Sequence, residues 1–79
     1  MIEIKEFTSL LEAEFEDIQP GTLTPEMHYR EITDFSSMHA LIIIAFIDHQ
    51  FDVLLKGEDL KKANTIADLY YIVQEKTKQ

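Results

Sequence analysis

The sequence has no cysteine, which removes disulfide staples, thiolate zinc sites and a cysteine nucleophile together. A small domain without staples suits the cytosol, so a cytoplasmic protein is expected. Basic residues are scarce, seven against fifteen acids, for a net charge of −8. Nucleic-acid binding needs a basic footprint, and none is present. Anionic membrane surfaces would repel the chain, and a partner with a basic patch is its electrostatic match. Long apolar runs are missing too. The longest, Ala40 to Ile47, is far short of the roughly 20 residues that span a bilayer. No basic stretch followed by an apolar run opens the chain, so no signal peptide is expected. The two glycines lie at positions 21 and 57, too far apart for a phosphate-cradling loop.

What is present fits one domain over 1–79. The 46% hydrophobic and 28% charged fractions place it among globular chains rather than disordered ones. The charge is uneven: residues 1–36 hold nine acids and two bases, whereas 37–79 hold six acids and five bases.

Periodicity predicts an all-α fold. Ile4, Phe7, Leu11 and Phe15, with Leu10 beside them, mark the inner stripe of a first helix that Pro20-Gly21 stops. No strong period runs from about Asp17 to Ser36. Pro25 after Thr24 suits the start of a single helical turn, and Tyr29, Ile32 and Phe35 read as hooks that pin this long loop to the core. A second helix begins at Ser36-Ser37 and runs to about Phe51. Its inner stripe is read as Met38, Leu41, Ile44 or Ala45, Ile47 or Asp48, and Phe51. Ile42, Ile43 and Phe46 widen the apolar arc, as in a helix central to its bundle or one that keeps surface for a partner. Residues 51–55 read as an extended connector, since no second strand exists to pair with them. A short helix from Glu58 to Ala63 contains Leu60. Thr65 and Asp68 then form a capping box before a last helix with Ile66, Leu69, Tyr70 and Val73 inward. The expected architecture is three main helices, one short helix, and a long loop between the first and second.

No enzyme motif emerges. Ser37 and His39 stand two apart on a helix and do not face each other. His49 and Asp52 have ligand spacing but make only half a metal site. His28 sits alone in the loop. The informative junction is Ser36-Ser37-Met38. One serine suffices to cap a helix, and here two follow a long loop. The second projects outward at the positive end of an apolar helix, a place suited to an anionic phosphodiester on its hydroxyl.

At this junction the chain resembles the acyl carrier protein family, which includes peptidyl carrier domains. Tyr29, Ile32 and Phe35 are similar to the family's loop anchors before its Asp-Ser-Leu signature. Ser37 falls on the serine that carries 4′-phosphopantetheine, and Met38 on the leucine. Leu41, Ile44, Ile47 and Phe51 fall on apolar positions of the second helix. Gly57-Glu58-Asp59-Leu60 resembles the short third helix, and Asn64 to Leu69 the opening of the last. The likeness covers nearly the whole chain. Ser36 stands where the family has aspartate. The alternative register, with Ser36 modified, would put Ser37 on the leucine position and interrupt the apolar stripe.

The resemblance implies an acyl or aminoacyl carrier without catalysis of its own. Its cargo would be held as a thioester on phosphopantetheine attached to Ser37, beside Ser36 and Met38. The implied partners are a phosphopantetheinyl transferase, a loading ligase and downstream acyl-processing enzymes of fatty acid, polyketide or nonribosomal peptide synthesis. Ile42 takes a position commonly held by glutamate, which suggests apolar docking through Met38, Ile42 and Phe46, with Glu58 and Asp59 as acidic contacts. Packing of Ile42 against the loop is the plainer alternative. Ala45, small where the family is often bulkier, suggests room inside. The net charge favours a monomer. The alternative function is a carrier-like interaction module, never modified, that binds partners through the second helix. A further alternative is an unrelated three-helix adaptor, which would have a short connection between its first two helices.

Overall fold

Glutamates at positions 3 and 6 suit the positive end of a helix, and the apolar steps that follow give it an inner face. The first helix forms there in a computed structural model that describes residues 2–16, 18–19, 21–31 and 37–77. Its elements are α1 (Ile4–Ala13), a 3₁₀ turn (Tyr29–Glu31), α2 (Ser37–Phe51), α3 (Gly57–Lys62) and α4 (Ile66–Thr77). The fold is a small all-α bundle of three main helices and one short one. A long loop joins α1 to α2, and no strand occurs among the described residues.

The core gathers around Phe7 of α1, which is fully buried. Its ring meets Phe46 edge-on at 6.0 Å, Tyr70 edge-on at 5.4 Å and Phe51 in a stack at 5.7 Å. One side chain thus joins three helices, and aromatic pairs at such spacings contribute beyond their buried area. Ile66, Leu69, Tyr70 and Val73 are all buried, as the spacing in α4 predicts. In the connector after α2, Val53 and Leu55 are buried while Leu54 is 66% exposed, the alternation of an extended segment with one face on the core. Asp52 ends α2 in the left-handed region, at φ 56°.

Two expectations are corrected. α1 stops at Ala13, well before Pro20. The Glu12 carboxylate accepts the backbone N–H groups of Gly21 and Leu23, each at 2.8 Å, so the chain must already have turned back. Gly21, at φ +89°, supplies a conformation that side-chain-bearing residues rarely adopt. Phe15 keeps its place in the core although it lies beyond the helix. In α2, the buried residues are Ile43, Phe46 and Ile47, whereas Met38 and Leu41 are each 64% exposed and Ala45 and Asp48 face outward. The inner face is therefore rotated from the stripe read in the sequence. A helix apolar almost all round gives periodicity no phase to report.

The loop is fastened at three places. Glu12 holds its first part. Pro25 and Met27 next offer their carbonyls to the N–H groups of Ala67 (2.8 Å) and Ile66 (3.0 Å), which satisfies donors that the start of α4 would otherwise leave unpaired. Residues 24–27 make a turn rather than the helical turn expected at Pro25. Tyr29, 1% exposed, then sets its hydroxyl between the carbonyls of Leu60 and Ala63, the latter at 3.1 Å. Tyr29 is thus the loop hook that the sequence suggests; Ile32 and Phe35 lie outside the described residues. The connection from α1 to α2 is long, unlike the short one of an unrelated three-helix adaptor.

The start of α4 carries the expected box. Thr65 Oγ1 accepts the Asp68 N–H at 3.1 Å, and Asp68 Oδ2 accepts the N–H groups of Thr65 (3.0 Å) and Asn64 (2.9 Å).

Candidate functional site

Ser37 is the first residue of α2, and it is exposed. The first turn of α2 carries no acidic side chain. The first turn of a helix presents N–H groups and the positive end of the dipole, and no acidic side chain of that turn competes for them. An anionic phosphodiester on the Ser37 hydroxyl fits this chemistry. Ser36, the other register, lies outside the described residues.

Beyond Ser37 the surface is apolar. Met38 is exposed, and His39 stacks on Phe15 with ring centroids 5.7 Å apart and planes at 27°. Glu14, Phe15 and Glu16 from the end of α1 join Met38, His39 and Ile42 from α2 around an open cleft of about 380 Å³. Phe15 and Ile42 give it an apolar floor, and the two glutamates give it an acidic rim. Ile42 is half-buried: it packs against the core and also lines the cleft.

The remaining site residues divide. Phe46 is 2% exposed and occupied by Phe7 and Phe51, so its expected place on a docking surface is corrected: it belongs to the core. Ala45 faces outward, so its small size makes no room inside. Glu58 is exposed on α3. Asp59 is half-buried, accepts the Lys56 N–H at 2.9 Å and lies 3.6 Å from the Lys76 ammonium, so its charge ties α3 to α4. His49 and Asp52 are exposed at the end of α2, and no cluster of three metal-binding side chains occurs among the described residues. His28 pairs by backbone with Thr65.

Two carboxylates are shifted below their ordinary range. Glu12 is lowered by the N–H of Leu23 first and then by that of Gly21. Asp68 is lowered by the N–H of Thr65 first and then by that of Asn64. Both shifts mark structural clasps rather than reactive groups.

The residues missed by sequence reasoning are Glu14, Phe15 and Glu16 as partners of Met38. Phe15 falls on the first helix's apolar step and reads simply as core. The only signal at Glu14 and Glu16 is acid flanking an aromatic residue, which a solvated helix face also produces. No helix among the described residues is long and apolar enough to cross a membrane. Compared with known proteins, the chain matches no family model, no curated protein and no solved structure.

Proposed function

We propose that the chain is an acyl or aminoacyl carrier whose attachment point is Ser37. The observation that carries this reading is an exposed serine at the first position of an apolar helix, after a long loop fastened to the bundle at Tyr29. The resemblance of residues 29–69 to the carrier family supports it, in the order of helices as well as in residue types. The acid-free first turn of α2 favours the phosphodiester of a phosphopantetheine arm, and Met38 lies next to it. When bound, that arm supplies a thiol whose thioester keeps an acyl carbonyl electrophilic and brings it to separate enzymes at high effective concentration. The chain's own residues have two tasks. Ser37 presents its hydroxyl to the transferase, and Tyr29, with the Phe7 cluster, holds the bundle rigid behind it. A loading ligase and acyl-processing enzymes complete the set of partners.

A second reading, an unmodified interaction module, is favoured by the exposure of Met38 and Leu41 and by Ser36 in place of aspartate. Intact mass separates the two. The protein is measured as expressed and again after incubation with coenzyme A and a broad-specificity phosphopantetheinyl transferase. A gain of one phosphopantetheine, mapped by fragmentation to Ser37 and abolished by Ser37→Ala, is expected. A folded protein that gains no mass in either sample would leave the interaction module as the function.

A further inference from the structure

Two helices of the bundle carry lysine near the C-terminus, where the dipole favours a cation. α3 has Lys61 and Lys62, and α4 has Lys76. α1 has no basic residue there. Its C-terminal end carries Glu12, Glu14 and Glu16 instead, placed against the negative end of its own dipole. Glu12 is compensated by the loop N–H groups that it accepts. Glu14 and Glu16 are exposed and line the cleft beside Met38.

A second open cleft, of about 540 Å³, shares Phe15 and Glu16 with the first. Ile18 adds an apolar wall to it, and Glu12 a further acid. Neither cleft is lined by lysine or arginine among the described residues. The end of α1 is thus an apolar double cleft with excess negative potential, and nothing on α1 itself neutralises it.

We infer that this double cleft docks a partner-protein segment in which an apolar side chain is flanked by lysine or arginine. The apolar side chain enters beside Met38 and Ile42. The cations lie against Glu14 and Glu16 and supply the positive charge that the end of α1 lacks. Charge complementarity of this kind governs the choice of partner and the rate of encounter. The inference is independent of the carrier reading, because it requires no modification of Ser37.

The test uses the full 79-residue protein, isotope-labelled, titrated with a synthetic amphipathic helical peptide of leucine and lysine. A peptide of the same pattern in leucine and glutamate is the control. Amide shifts are expected to concentrate at 14–16, 38, 39 and 42 with the lysine peptide alone. The double substitution Glu14→Lys/Glu16→Lys is expected to weaken binding by about tenfold or more, since like charges then face each other. Its folded state should withstand at least as much urea as the parent, because it restores the favourable end charge. Glu26→Lys/Glu31→Lys changes the net charge equally at two exposed acids that line neither cleft, and is expected to weaken binding by less than about threefold, through long-range attraction alone. Met38→Ser should also weaken binding, without loss of fold. The inference is overturned by shifts spread over the whole acidic surface, by equal losses in the two charge-reversed proteins, by indifference to Met38→Ser, or by no binding at all.

Discussion

α2 and α4 use their apolar residues differently. α4 has twelve residues and buries four of them, Ile66, Leu69, Tyr70 and Val73. α2 has fifteen, is far richer in apolar side chains, and buries three, Ile43, Phe46 and Ile47. The burial in α2 begins only after its first turns, and Met38 and Leu41 near its start remain largely in water. In α4 most of the apolar content is consumed by the fold, and Tyr71 is its one largely exposed apolar side chain. In α2 there is a surplus, and it lies beside Ser37. A hydrophobic surplus next to an exposed helix start contributes little to stability and much to recognition.

Substitutions sharpen that contrast. The largest effect is expected on the side that the fold consumes. Phe7→Ala removes the ring shared by α1, α2 and α4, at a cost of about 3–5 kcal/mol, a large share of the stability of a domain this small. Phe7→Leu should keep the fold with a smaller loss, and urea denaturation reads both. Tyr29→Phe comes next. It leaves the Leu60 and Ala63 carbonyls without their buried hydroxyl, at about 1–3 kcal/mol in the same assay. Thr65→Ala, which opens the box at the start of α4, should cost about 1 kcal/mol. The smallest effect is expected on the surplus side: Met38→Ser or Leu41→Ser should change stability by less than about 0.5 kcal/mol. A loss above 2 kcal/mol at either residue would erase the distinction between the two helices.

Acid acts on the clasps. Glu12 and Asp68 have pKa values below their ordinary ones in the folded state, through the N–H groups of Leu23 and Thr65 in the first place. Their stabilisation is therefore complete above the ordinary carboxylate pKa. It is lost as pH falls through that value to the depressed one. The unfolding midpoint in urea, followed from about pH 6 to about pH 2, should drop less in Glu12→Gln and Asp68→Asn than in the parent protein.

The two helices also differ in how plainly the sequence reports them. The inner face of α4 and its Thr65–Asp68 box were legible because polar and apolar residues alternate there at the helical period. The extent of α2 was legible from Ser37 to Phe51, but its rotation was not. With Ile42, Ile43, Ile44 and Ile47 on several sides, every phase looks apolar, and only packing into the shared core selects Ile43, Phe46 and Ile47. The end of α1 was hidden for another reason. Phe15 continues the step from Leu11, while the interaction that turns the chain, Glu12 to Gly21 and Leu23, joins residues too far apart in sequence for local pattern to show it. Of the candidate site, Ser37, Met38 and Ile42 were legible. The contribution of Glu14, Phe15 and Glu16 was not, because it depends on where α1 ends.

Tyr29 has a consequence for how this chain tolerates change. The connector between α1 and α2 is residues 14–36, and Tyr29 is fastened partway along it to the corner between α3 and α4. A single long loop thereby becomes two shorter ones. Closure entropy grows only slowly with loop length, so added residues before Tyr29 cost little. They also leave unchanged the run of chain from Tyr29 to Ser37. The placement of Ser37 at the start of α2 is thus insulated from the length of the loop ahead of Tyr29.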